Sequence, residues 1–106
     1  MAEKTIMLVC AAGMSTSMLV QKMQKEAEKQ KLDRDIFAVS TSEADQKIES
    51  DNIDVLLLGP QVRFKKDEYT KKCSEKDIPV AVIEMRDYGT MNGENVLNTA
   101  EQLMKK

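Results

Sequence analysis

The chain has 106 residues, 42% of them hydrophobic, and its 16 basic and 18 acidic side chains leave a formal net charge of −2. That is the length of one domain, 1–106, with apolar content for a modest core, which excludes a disordered chain. Interleaved charges lack the footprint of a nucleic-acid binder, and no apolar run approaches the ~20 residues of a membrane span.

The opening Met1-Ala2-Glu3-Lys4 does not have the form of a signal peptide, and two cysteines without one point to a reducing cytoplasm. Histidine is absent. That removes imidazole general bases, phosphohistidine chemistry on this chain and most zinc sites. Nothing in the residues calls for a metal or a cofactor. Cys10 is then the strongest nucleophile the chain has.

In chain order, Lys4 to Val9 holds the uninterrupted run Ile6-Met7-Leu8-Val9, the pattern of a strand buried on both faces. A tight loop with small and hydroxyl-bearing residues follows, and an amphipathic helix begins at Met18 with Leu19, Val20, Met23 and Ala27 inward. Arg34 to Ser40 predicts a second strand. A short helix follows near Ser42, where Ser42 and Asp45 fit a capping box and Ala44 and Ile48 face inward. Asp54 to Leu58 is the third strand, stopping at Gly59-Pro60-Gln61. A charged helix from about Arg63 to Glu75 carries Tyr69 and Cys73 on one side, with Lys65, Lys66, Lys71 and Lys72 on a solvated face. Pro79 to Ile83 is the fourth strand, Asp87 to Asn92 a turn, and the last helix presents Val96, Leu97, Ala100, Leu103 and Met104.

Four strands alternating with helices imply an α/β three-layer sandwich, a four-stranded parallel sheet with helices on both faces. Right-handed crossovers favour strand order 2-1-3-4, which reverses the winding between strands 1 and 3. Ligands of such sheets bind at the carboxyl edge beside that reversal. Cys10 lies there after strand 1 and Gly59-Pro60-Gln61 after strand 3, with Asp87, Tyr88 and Gly89 on the same rim. In a strand–loop–helix unit, the loop amides and first helical N–H groups can converge on one anion, with the helix dipole behind them. A thiol at that edge is favoured as thiolate. The candidate phosphate loop after strand 1 is therefore Cys10 with Ala11, Ala12, Gly13, Met14, Ser15, Thr16 and Ser17.

Plainer roles compete. Ser15, Thr16 and Ser17 can serve as N-caps, which is compatible with anion binding because both use the same N–H groups. Met14 either tucks into the core or offers a flexible thioether to a partner. Gln61 either bonds a phosphoryl oxygen or caps the third helix, and Tyr88 is a packing residue of the rim. Cys73, one turn after Tyr69, is a buried packing residue.

Two families share features of this loop. The spacing resembles that of low-molecular-weight cysteine phosphatases: a cysteine, five residues, then arginine and serine or threonine. Here Thr16 and Ser17 stand at those last positions, so the arginine that grips phosphate is missing, and Asp87-Tyr88 only loosely matches that family's acid turn. Over nearly its whole length the chain more closely resembles the IIB component of the bacterial sugar phosphotransferase system, of the lactose, cellobiose and chitobiose type. The matching motifs are Cys-Ala-Ala-Gly-Met-Ser-Thr-Ser from Cys10, Leu-Leu-Gly-Pro-Gln from Leu57, and Tyr88-Gly89.

The resemblance implies that Cys10 accepts a phosphoryl group from a histidine of a IIA protein. It then passes the group to a sugar in the membrane transporter IIC, a β-linked disaccharide such as cellobiose, chitobiose or lactose. It further implies a cytoplasmic protein, transiently at the inner face of the plasma membrane, with no nucleic-acid partner. The rival readings are a phosphatase-like hydrolase and a non-catalytic phosphate-binding module.

Overall fold

The computed structural model describes residues 4–10, 14–50 and 52–105, and of residues 14 and 15 only the backbone. The first apolar run forms the centre of β1 (Lys4–Cys10), where Ile6 through Val9 are completely buried. Helix α1 (Met14–Lys29) leads to β2 (Arg34–Ser40) and α2 (Thr41–Ser50). After β3 (Val55–Leu58) come a 3₁₀ turn at Pro60–Lys65 and helix α3 (Lys66–Ser74). Strand β4 (Val80–Val82), the short helix α4 (Met85–Gly89) and helix α5 (Gly93–Met104) complete the order.

The sheet has four strands in the order β2-β1-β3-β4, and all three pairings are parallel. Period-two alternation divides the central strands between two cores. Ile6, Leu8, Val55 and Leu57 pack with Leu19, Met23, Val96 and Leu97 beneath α1 and α5. Met7, Val9, Leu56 and Leu58 pack on the opposite face with Ala44, Ile48, Tyr69 and Cys73 of α2 and α3. A fully buried aliphatic side chain contributes about 1.5–3 kcal/mol, so the two layers on β1 and β3 are the main source of stability.

Register is fixed beyond the strands themselves. At the amino edge the Thr5 N–H donates to Asp54 Oδ2 at 2.7 Å, and the Asp54 N–H donates to the Thr5 carbonyl at 2.9 Å. At the carboxyl edge the Gly59 N–H donates to the Val9 carbonyl at 2.8 Å, and the Ile83 N–H to the Leu58 carbonyl at 2.8 Å.

Three expected details are corrected. The helix expected from Arg63 to Glu75 is two pieces. Pro60 starts a 3₁₀ turn, Val62 leaves helical geometry at φ −118°, ψ 21°, and α3 begins only at Lys66. The kink buries Val62 and leaves Phe64 outside.

The capping box of Ser42 with Asp45 does not form, because α2 starts one residue earlier, at Thr41. The Ser40 hydroxyl instead meets Ser42 Oγ at 2.8 Å and donates to Glu43 Oε1 at 3.2 Å. Asp45 looks across to α3 and pairs at 2.8 Å with Lys72, whose side chain stays exposed on the solvated lysine face. The segment expected as a turn over Asp87 to Asn92 opens as the last residues of α4, and only its second half turns.

Three helices end on non-glycine residues in the left-handed region: Lys31 at φ 60°, Asp77 at φ 57° and Met91 at φ 53°. At each, the following N–H reaches back five residues, Leu32 to Ala27 at 2.8 Å, Ile78 to Cys73 at 3.0 Å and Asn92 to Asp87 at 2.9 Å. These bonds satisfy carbonyls that the last helical turn leaves open.

Candidate functional site

Cys10 is the last residue of β1, at the carboxyl edge between β2 and β3 where the winding reverses. It pairs in register with Ser40, the last residue of β2, and is only 1% exposed. On its other side the chain leaving β3 passes very close. A Cβ placed on Gly59 would lie 3.5 Å from the Cys10 Cβ and 3.0 Å from Gln61 Oε1. That contact leaves little room for a side chain at position 59, and it brings the Gln61 carboxamide to the same end of the sheet.

Helix α1 starts at Met14, so Met14, Ser15, Thr16 and Ser17 are its first turn rather than the end of a loop. Ala11, Ala12 and Gly13 lie outside the described residues, as do the side chains of Met14 and Ser15. The first turn contains no acidic residue. Its N–H groups, which have no intrahelical acceptor, and a dipole from 16 residues therefore favour an anion in front of the helix. Thr16 is inside the helix rather than at an N-cap. It is fully buried, and its hydroxyl lies 3.1 Å from the Tyr88 hydroxyl of α4. Ser17 is exposed.

Tyr88 thus belongs to the site by a direct bond to the first turn of α1, a role that packing alone did not suggest. Gln61 lies within the 3₁₀ turn and does not cap α3, whose N-cap position is Lys65 and has no side-chain cap. It lines a cleft of about 550 Å³ with Arg63, Phe64, Met85 and Tyr88. Asp87, next to Tyr88, accepts from Asn95 Nδ2 at 3.3 Å. Among the described residues the strongly exposed apolar side chains, Phe64 (75%), Met85 (64%) and Met18 (57%), all sit on segments that follow the carboxyl ends of strands.

Sequence reasoning missed Arg63 as a cleft residue and Ser40 as the neighbour of Cys10. Strand pairing supplies the second. For Arg63 the available signal was its place two residues after Gln61, in the turn leaving β3.

Neither cysteine is in a disulfide. Cys73 is buried in the core under α2 and α3, where loss of solvent pushes its thiol above the ordinary value of 9.0. Burial likewise raises Tyr69, whose hydroxyl donates to the Thr41 carbonyl at 3.4 Å. Among the described residues no group of three or more His, Cys, Asp and Glu side chains could hold a metal ion. Among the same residues no helix is long and apolar enough to cross a membrane.

Comparison with known proteins identifies this arrangement. Residues 5–99 match the family model of the phosphotransferase-system lactose/cellobiose-specific IIB subunit. A galactose-specific EIIB component of Lactococcus lactis subsp. cremoris is 53% identical over 107 residues, covering 98% of this chain and 99% of the relative. A cellobiose-specific EIIB component of Lactococcus lactis subsp. lactis has the same identity and coverage. Among solved structures, the cellobiose-specific phosphotransferase IIB component of Borrelia burgdorferi is 42% identical with a TM-score of 0.76. The match covers 95% of this chain and 91% of that one.

Proposed function

The chain belongs to the lactose/cellobiose-specific IIB family of the phosphotransferase system, and from that premise we propose that Cys10 is the residue that carries the phosphoryl group. A IIB component takes part in phosphoryl transfer to sugar, working between IIA and IIC partners. In the proposed sequence the Cys10 sulfur attacks the phosphorus held by a IIA histidine. The S–P bond forms as the N–P bond breaks, and the imidazole leaves with its electron pair. A sugar hydroxyl bound in IIC then attacks the same phosphorus. The O–P bond forms, the thiolate leaves, and the hydroxyl proton passes to a base at the sugar site.

The observation that carries this reading is the placement of Cys10. It ends β1 at the winding reversal, four residues before the start of a 16-residue helix whose first turn has no acid. Phosphoryl transfer needs in-line positioning and charge stabilisation more than acid–base groups. Residues 11 to 17, Ala11 through Ser17, would present backbone N–H groups to the equatorial oxygens. Gln61 and Tyr88 line one cleft, and the Tyr88 hydroxyl meets Thr16 in the first turn of α1, which supports a rim role for both.

Features that would make a hydrolase are missing among the residues concerned. No arginine occurs from 11 to 17, and the Asp87 carboxylate is engaged by Asn95. These points support a carrier that hands the group on rather than a phosphatase that releases it.

The sugar is proposed at the level of class, a β-linked disaccharide such as cellobiose, chitobiose or lactose. Relatives of equal identity carry cellobiose and galactose in their names. The protein would act in the cytoplasm, meeting IIC at the inner face of the plasma membrane.

The test is intact-mass measurement after incubation with phosphoenolpyruvate, the general phosphotransferase proteins and a matching IIA. The native chain should gain one phosphoryl group that persists when the donor is removed, and Cys10→Ser should gain none. Failure to label the native chain with a fully phosphorylated IIA, or labelling of Cys10→Ser, would overturn the assignment.

A further inference from the structure

We propose that Tyr88 is a positioning residue for phosphoryl transfer, acting through Thr16; the inference rests on the phosphocysteine reading above. Among the described residues Thr16 is the buried polar side chain, with no exposure at all. A hydroxyl out of water is retained where a partner compensates its desolvation. That partner is the Tyr88 hydroxyl at 3.1 Å, 72 residues away in the chain. The bond joins α4 to the turn of α1 whose N–H groups face the end of β1.

A five-residue helix is not by itself a rigid support, and the surroundings of α4 make it one. Its C-terminal end closes on Met91 in the left-handed region. The Asn92 side chain then caps α5, accepting from the Asn95 N–H at 3.1 Å. Gly93 seats α5 against α1 so closely that an added Cβ would lie 2.7 Å from the Lys22 carbonyl carbon. Helix α1 is therefore held by the same short segment at two points, Lys22 through Gly93 and Thr16 through Tyr88.

Fixing the first turn in this way aims its N–H groups before any anion arrives. Donors fixed in advance need no reorganisation as charge develops on the transferring phosphoryl group. Tyr88 need not touch the phosphoryl group to have this effect.

The experiment measures the rate of transfer from phosphorylated IIA to the full chain, over a range of IIA concentrations. The variants are Tyr88→Phe, Thr16→Ser, Thr16→Val and the double variant Tyr88→Phe/Thr16→Val. Tyr88→Phe is expected to lower the maximal rate about two- to tenfold, the range that one buried hydrogen bond carries, with the KM for IIA unchanged. Thr16→Ser, which keeps the hydroxyl, should lose less of the rate than Thr16→Val. The double variant should lose less than the product of the two single losses, because the two changes share the Thr16–Tyr88 bond.

An unchanged maximal rate in Tyr88→Phe would overturn the inference. So would a raised KM at unchanged rate, which would make Tyr88 a docking residue, or losses that multiply in the double variant. If the native chain accepts no phosphoryl group, the phosphocysteine reading fails first. If it does and the variants match it, only the role of Tyr88 fails.

Discussion

A single absent methyl group decides how two helices meet. Gly93 opens α5 where the backbone of Lys22 and Met23 in α1 passes, and a Cβ there would stand 2.7 Å from the Lys22 carbonyl carbon and 2.9 Å from the Met23 nitrogen. Both atoms belong to the helix backbone, so the clash is not relieved by turning a side chain. Gly93→Ala should destabilise the fold by about 1–3 kcal/mol despite alanine's better helix propensity, because α1 and α5 must separate. Urea unfolding followed by circular dichroism checks this, and a midpoint equal to the native one would count against it. The position of Cys10 at the end of β1 was legible at this scale because the uninterrupted apolar run before it marks the strand. The bond between Thr16 and Tyr88 was not, since nothing local in either residue's neighbourhood announces a partner 72 residues away.

Helix ends set the next scale. Lys31 holds the left-handed conformation after α1, with its own N–H bonded to the Glu28 carbonyl at 3.0 Å, and its side chain is exposed. Left-handed geometry costs an L-residue roughly 1–2 kcal/mol, and glycine avoids it at some entropic expense. Lys31→Gly should therefore stabilise the chain by about 1 kcal/mol or somewhat less, seen as a higher melting temperature; a lower one would refute it. Met91 takes the same geometry but packs against the core, so glycine there would lose contacts as well as strain. The long elements were readable because uninterrupted runs such as Val55-Leu56-Leu57-Leu58 and the spacing of Val96, Leu97 and Ala100 carry clear periods. The start of α1 was read four residues late because Met14-Ser15-Thr16-Ser17 has more hydroxyls than apolar side chains. Helix α4 was read as turn because five residues ending in Gly89 are too few to show a period.

At the scale of the whole molecule, the strand order expected from the alternation of elements is the one found, and it brings the Cys10, Gln61 and Tyr88 segments to one edge. Stability should also have an alkaline limit. Burial raises Cys73 above 9.0 and Tyr69 above 10.0, and the hydrogen bond to Asp45 raises Lys72 above 10.5. In each case the folded chain keeps its proton to higher pH than the unfolded chain. The contribution is complete below the ordinary value and is lost as pH rises through the folded one. The urea midpoint should thus hold up to about pH 8 and fall from about pH 9. In a Cys10→Ser background, where Cys73 is the sole thiol, Cys73→Val should delay the fall to about pH 10, the tyrosine range. Coincident pH profiles with and without Cys73 would refute the assignment.

The paired bonds at both ends of the β1–β3 ladder, Asp54 with Thr5 and Gly59 with Val9, have a mechanical consequence. A slip of one residue would carry the thiol about 3.3 Å along the strand and turn it to the other face of the sheet. That displacement is as large as the gap a phosphoryl group crosses between donor and acceptor. The double clasp makes such an error discrete and costly rather than gradual. The placement of the proposed nucleophile is thus inherited from the ladder, and the surrounding surface can vary without moving the sulfur.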